Sequence, residues 1–355
     1  DVYRGVRKDY TGKSVTAKNF LSVITGDAAA MQGVGSGRVL NSTAEDRVFI
    51  NFVDHGGVGL IAFPNQPYLY AKDLIAALQT MHTKKLYKEL VFYVEACESG
   101  SMFKTLPDNL DIYVTTAANG KESSWGTYCA PNDSVNGKSI NSCLGDLYSV
   151  NWMENSETSD LKTETLEQQY KAVKRATNKS HVMQFPKGSA IVQEPVGDFI
   201  GTEDPKFVMH SQENRQQQQQ QQQRETAAAS GVGLFDSRDN ELFRLFHAYA
   251  RSGDAKYGDK LIAEVKDREQ HDANFEAITE KVVGADKRVA AMGARADPTY
   301  TQCHKDVNAA YAQYCGGFSD YALKHVRVVV NLCESVGAGN SYAHVVSAVQ
   351  EVCSN

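Results

Sequence analysis

No apolar run in the 355-residue chain approaches the roughly 18 to 20 residues that a bilayer-spanning helix needs, so no membrane role is expected. The opening residues, DVYRGVRKDYTG, lack the apolar stretch of a signal peptide, which leaves a processed or truncated start open. Basic residues form no cluster and are outnumbered, 37 against 43 acidic ones, for a net charge of −6. Phosphate binding needs clustered Lys and Arg, so nucleic acid is not expected as a main partner. Zinc-type CxxC pairs and an HExxH sequence are also missing, so neither a metal nor another cofactor is expected.

What is present begins with an odd number of cysteines. The 7 stand at 97, 129, 143, 303, 315, 333 and 353. Cys129 and Cys143 bracket a loop rich in Asn, Asp, Ser, Gly and Pro, as a local disulfide would. The last four fall in a helical-looking tail. Three pairs would leave Cys97 alone, and a leftover thiol is either reactive or buried and inert. Sequons of the form N-x-S/T begin at Asn41, Asn132 and Asn178. With the cysteines they favour a secretory route.

The chain then reads as alternating elements. RVFINFV, from Arg47 to Val53, is short, β-branched and aromatic, as a buried strand should be, and DHGGVG ends it. Residues 72–88 have helical spacing. LVFYVEA and DIYVTTAAN are two further strands, and 156–184 has helical composition. Strand, helix, strand, turn, strand predicts an α/β fold with a mainly parallel sheet. Ligands and catalytic groups gather at the carboxyl ends of such strands. Beyond them the run Gln216–Gln223 with polar flanks predicts a flexible linker. From Asp236 the sequence is helical again, with Leu242, Leu245, Phe246 and Tyr249 spaced to share one face. The final stretch is too short for a large core and needs cross-links.

His55 ends one predicted strand and Cys97 another, one crossover apart. A histidine near a thiol can hold the thiolate and return a proton to a leaving amine. Gly56 and Gly57 leave room for a carbonyl, and backbone N–H groups there and at Cys97 would suit an oxyanion. The competing reading is a packed core thiol and a structural histidine.

DHGG followed by VEACESGS resembles the legumains, the asparaginyl endopeptidases or vacuolar processing enzymes. The likeness runs on through TTAANGKESSWGTYC and CLGDLYSVNWMENS and resumes with the four-cysteine tail. The Cys129–Cys143 loop is similar to that of the plant branch. The resemblance implies a caspase-like catalytic domain over 1–213, incomplete at its start. A Gln-rich linker over 214–235, a helical activation segment over 236–299 and a disulfide-linked helical prodomain over 300–355 would follow it. It implies the pairs Cys303–Cys333 and Cys315–Cys353, with Cys97 as nucleophile and His55 as its partner. Peptide substrates would be cut after Asn, less readily Asp, in an acidic vacuolar compartment. Glu95, Ser123, Ser124 and Asp146 match the specificity pocket. Without the resemblance, Glu95 reads as a paired strand-end charge and the serines as turn residues. Asp54 matches an aspartate that can convert to a succinimide.

The family's catalytic domain starts upstream of the position matching Asp1. That stretch holds a first core strand, an asparagine orienting the histidine and a pocket arginine. An open sheet edge is therefore expected here. Val58 and Arg7 replace common prolines, and Pro186 replaces a glycine. The prodomain is expected to inhibit until the segment before it is cut, with Asn214, Asp236, Asp239 and Asn240 as candidate self-processing sites. Release is expected when acid protonates carboxylates paired across the interface. The resemblance also allows a proenzyme dimer. Gly57, Val58, Trp125 and Gly126 match positions that bias hydrolysis against ligation, and a glycine at 126 leaves space for water. Peptide ligation is the near alternative. A non-catalytic seed-storage relative is the distant one, which the Gln tract and cysteine-rich tail would suit.

Overall fold

The computed structural model describes residues 5–202, 233–337 and 339–354. Asn214 and most of the expected linker lie outside the described residues.

Helix α1 (Ala17–Ile24) leads into β1 (Arg47–Val53). Three two-residue strands follow: β2 (Gly56–Gly57), β3 (Leu60–Ile61) and β4 (Leu69–Tyr70). After α2 (Ala71–Thr83) come β5 (Glu89–Glu95), β6 (Ile112–Thr116) and β7 (Trp125–Thr127). The hairpin β8 (Ser134–Val135) and β9 (Lys138–Ser139) sits inside the Cys129–Cys143 loop. β10 (Gly145–Asp146) then feeds α3 (Leu147–Thr158), α4 (Leu166–Ala176), β11 (Met183–Phe185) and α5 (Gly197–Ile200).

The central sheet has the order β1-β5-β6-β11, parallel except for β11. β1 forms one edge. Period-two alternation divides β5 between two cores. Leu90, Phe92 and Val94 pack with Leu74, Leu78 and Met81 of α2, while Val91 and Tyr93 pack with Tyr148, Leu166 and Val173 on the other face. Both faces being covered explains why this strand reads as one continuous apolar run.

Two expected helices differ from the structure. The one over 72–88 stops at Thr83, because Lys85 takes a left-handed conformation (φ 55°) and the chain turns into β5. The helical stretch over 156–184 is two helices with a strand after them. Met183–Phe185 add an antiparallel edge to β6, and Pro186 disfavours helix in the residue before it.

Beyond residue 232, β12 (Phe235–Asp236) precedes α6 (Asn240–Ser252), α7 (Ala255–Val283), α8 (Ala285–Gly293), α9 (Thr301–Tyr314), α10 (Val326–Val336) and α11 (Ala343–Cys353). The apolar face expected on α6 is shifted. Leu245 and Ala248 are buried, whereas Phe246 and Tyr249 are exposed. Cys303–Cys333 and Cys315–Cys353 tie α9 to α10 and α11 around Phe275, Tyr311, Leu332 and Val345. A small apolar cluster joins this helical part to the sheet part: Leu60, Tyr68 and Tyr70 against Leu323 and Val326.

Candidate active site

The parallel register aligns Val53 with Glu95, so β1 and β5 deliver their next residues to the same sheet edge. Asp54 N donates to the Glu95 carbonyl at 3.2 Å, extending the ladder to the doorstep of His55. Gly56 is required where it stands. A Cβ there would lie 2.3 Å from the Cys97 carbonyl oxygen, so the histidine loop and the cysteine loop touch through backbone.

Cys97 is the one free cysteine and is fully buried. Its Sγ accepts from Ser124 N at 3.3 Å and lies 3.6 Å from Ser124 Oγ. Burial pushes the thiol pKa up. The Arg238 guanidinium pulls the other way, and the nearby carboxylates of Glu98 and Asp236 add to the rise. The thiol is therefore held neutral. No hydrogen bond joins it to His55 among the described residues. His55 Nε2 instead faces Asp320 Oδ2 at 3.3 Å, and Nδ1 is buried without a partner. Burial lowers the His55 pKa, but the hydrogen bond and charge of Asp320 outweigh it and leave the pKa raised. Asp54 Oδ1 accepts from His55 N at 2.6 Å, and burial raises its pKa against that bond.

Below this edge, Glu95 Oε2 accepts from Ser149 N at 2.8 Å and Ser149 Oγ at 2.9 Å. Glu95 Oε1 is buried and unpartnered. Burial and then the charge of Asp146 drive the Glu95 pKa well up, against the Ser149 bonds. Asp146 is likewise raised by burial, against the pull of His55. Ser123 is half-buried beside the buried Ser124. Around the rim, the Lys179 ammonium lies 5.7 Å from the centre of the Trp125 ring. Asn240 Oδ1 and the Cys143 sulfur crowd Gly126 at 2.9 and 3.0 Å from where a Cβ would be. Val326 covers Gly57 at 3.1 Å in the same sense, and Val58 is buried.

The C-terminal part occupies the cleft. β12 pairs antiparallel with β7, Phe235 opposite Gly126 and Asp236 opposite Trp125. Ser237 N then donates to Ser124 O at 3.0 Å, and the Ser237 hydroxyl is 3.1 Å from that of Ser124. Arg238 follows, buried, bonded to the Glu98 carboxylate and to Gly56 O at 2.8 Å. Asp239 pairs with Arg268 in a 3-10 turn, and Asn240 opens α6. Sequence reasoning missed Ser149, Ser237, Arg238 and Asp320. Their roles come from contacts across more than 50 positions, which no local pattern encodes.

The comparisons with known proteins follow the same lines. The model of the Peptidase C13 family matches residues 1–202, and that of the legumain prodomain matches 259–353. The chain is 41% identical to a vacuolar-processing enzyme of Glycine max, over 99% of this chain and 72% of that protein. It is 39% identical to a legumain of Canavalia ensiformis, over 99% and 74%. A legumain of Bos taurus is 38% identical, over 94% and 74%.

Proposed function

From the premise that the chain belongs to the Peptidase C13 family of cysteine peptidases and carries a legumain prodomain, we propose that it is an autoinhibited endopeptidase cleaving after Asn. The observation that carries this reading is the unpartnered Glu95 Oε1 beneath Cys97 and His55. While Glu95 is ionised, a buried acceptor without a donor is costly and a P1 carboxamide NH2 supplies one, and once Glu95 is protonated its Oε1 can donate to the carboxamide oxygen instead. A residue lacking the amide leaves the acceptor unpaired, which is the basis of discrimination. Asp146 adds a second acceptor. Ser123 and Ser124 form the pocket wall.

In the proposed reaction the Cys97 sulfur, its proton passed to His55, attacks the carbonyl carbon after Asn. Backbone N–H groups of Gly56 and Cys97 steady the oxyanion. His55 protonates the leaving amine as the C–N bond breaks, leaving a thioester. Water, deprotonated by His55, then displaces the sulfur and releases the acid product. The free Nδ1 is the atom left for an orienting partner such as the family's upstream asparagine. An acidic, vacuole-like compartment fits the names of the relatives, and the sequons fit delivery there. The residues over the cleft inhibit because Ser237, neither Asn nor Asp, is bonded to Ser124 beside the thiol. Asp236 is one residue out of register. Asp239 and Asn240 are in helical backbone and reach the thiol only if α6 unwinds at its start. Hydrolysis is favoured over ligation because Gly126 leaves the rim open to water once Asn240 departs.

The test is to acid-treat the protein and assay an Asn-containing peptide with and without thiol alkylation. Cleavage after Asn, abolished by alkylation and by Cys97→Ala, is expected. A protein that processes fully yet cleaves no Asn peptide overturns the reading. Product masses separate hydrolysis from ligation.

A further inference from the structure

Arg238 reaches into the cleft, and the two groups that bond its guanidinium, Glu98 and Gly56, belong to the catalytic part. Its guanidinium bonds the Glu98 carboxylate and the Gly56 carbonyl oxygen, one residue beyond Ser237, which bonds the Ser124 that lies beside the thiol. Phe235 and Asp236 run extended and antiparallel to β7, the arrangement by which a peptide adds a strand to a sheet edge, and Ser237 N carries the ladder on to Ser124 O before the 3-10 turn Ser237–Asp239. Ser237 thus stands in the register of the residue before a scissile bond, and Arg238 in that of the residue after it.

We propose that Glu98 and Gly56 form a primed-side subsite that takes a Lys or Arg side chain on the residue following the scissile bond. This rests on the endopeptidase reading above and names a substrate class for it.

The subsite is built before any substrate arrives. Glu98 is held in a left-handed conformation, φ 47°, by bonds that do not involve Arg238. Its N–H donates to Glu122 O at 2.8 Å, and its carbonyl accepts from Ser101 N at 2.8 Å and Ser101 Oγ at 2.6 Å. The same Ser101 Oγ accepts from Gly59 N at 2.8 Å. One buried hydroxyl therefore fixes the Glu98 loop to the Gly56–Gly59 loop, and both acceptors keep their places when the inhibitory segment leaves. What remains is a carboxylate and a carbonyl held on neighbouring loops, a pair that a cationic donor satisfies and an acidic side chain repels.

The experiment uses the full chain after acid activation and three peptides differing only after Asn: Arg, its neutral near-isostere citrulline, and Glu. A charge-assisted bond to a buried carboxylate predicts kcat/KM for Arg about tenfold above citrulline, with Glu lowest. Glu98→Gln should bring the Arg-to-citrulline ratio to within about twofold of unity. Equal values for Arg and citrulline in the unaltered protein overturn the subsite, and this comparison decides the matter even if Glu98→Gln does not fold. An Arg preference that survives Glu98→Gln overturns it too. Failure to cleave any of the three peptides removes the Asn-specific reading and the subsite with it, whereas equal cleavage of all three sinks the subsite alone.

Discussion

His55 Nε2 and Asp320 Oδ2 stand 3.3 Å apart, a contact that joins the proposed general base to the helical C-terminal part. Asp320 carries a lowered pKa, chiefly through its hydrogen bond to His55, and His55 carries a raised one. A depressed carboxylate contributes above its folded pKa and a raised histidine below its own. The pair therefore supports docking from below pH 3.8 to above pH 6.5. Replacing Asp320 by Asn removes the charge that favours protonated His55 without disturbing the fold. The intact zymogen of Asp320→Asn should have Cys97 alkylated several-fold faster at neutral pH, followed by mass spectrometry. An unchanged rate would mean that the contact does not restrain the site.

The same window bears on release by acid. Protonation of cross-interface carboxylates was the expected trigger, yet Asp320 is depressed by His55 and Asp297 by its bond to Lys104. Mild acid favours neither of these two protonations, though Asp73–Lys305 and Glu98–Arg238 also cross the interface. His304 is better placed. It is buried on α9 with its ring 5.4 Å from that of Tyr70, and its Nε2 has no partner. Burial, then the charge of Arg327, lowers its pKa to about 3. The charge acting on it is that of Arg327, and Tyr70, the ring beside it, is itself met by Lys305, which pairs with Asp73, and by Asn308. A histidine depressed on docking loses stability as pH falls below its free value, about 1.4 kcal/mol per unit. His304→Gln, which does not titrate, should shift cap dissociation after cleavage to lower pH by about one unit, read by light scattering. A midpoint identical to the unaltered protein would exclude His304 as a trigger.

How far the sequence carried depends on the range of the interactions. The strands at 47–53 and 89–95 were legible because both faces of β5 are buried, and their ends placed His55 and Cys97 on one edge. Spacing also exposed the cysteine that pairs with nothing. Met183–Phe185 was not legible, since a three-residue edge strand is decided by the β6 ladder it completes. Nor were Phe246 and Tyr249, whose apolar spacing on α6 is matched by no packing partner deep enough to bury them. Arg238 carried no local signal at all. Its importance comes from Glu98, 140 residues away.

Helix α6 is held to the disulfide loop by a buried charge. The Asp133 side chain is 1% exposed and accepts from Arg251 at 3.2 Å, from Asn141 N at 3.1 Å and from the Ser139 hydroxyl. Asp133→Ala takes the acceptor from the Ser139 hydroxyl and the ion-pair partner from Arg251, and should cost about 3 kcal/mol. Arg251→Ala leaves the carboxylate two partners and should cost about 1 kcal/mol. Denaturant unfolding of both variants tests the order, and equal losses would mean that the Arg251 bond carries the whole contact.

Glu95 offers the sharpest test of the pocket. Its Oε2 is committed to Ser149, leaving Oε1 to meet the substrate. In Glu95→Gln the amide oxygen must stay with Ser149, because Ser149 N can only donate and the hydroxyl meets the same atom. The NH2 then faces the pocket, where it opposes a P1 carboxamide NH2 and favours a P1 carboxylate. The Asn-to-Asp ratio of kcat/KM should fall by more than tenfold. The pH dependence should change as well. Burial and Asp146 raise the Glu95 pKa, so falling pH converts Oε1 from an acceptor to a donor and lifts Asp cleavage relative to Asn. Gln has no such transition, so the pocket's share of the pH dependence should vanish in the variant and leave only the titration of the substrate Asp near 3.9. Profiles of both peptides between pH 4 and 7 measure this, and a variant whose ratio still follows the unaltered curve would place amide recognition away from Glu95.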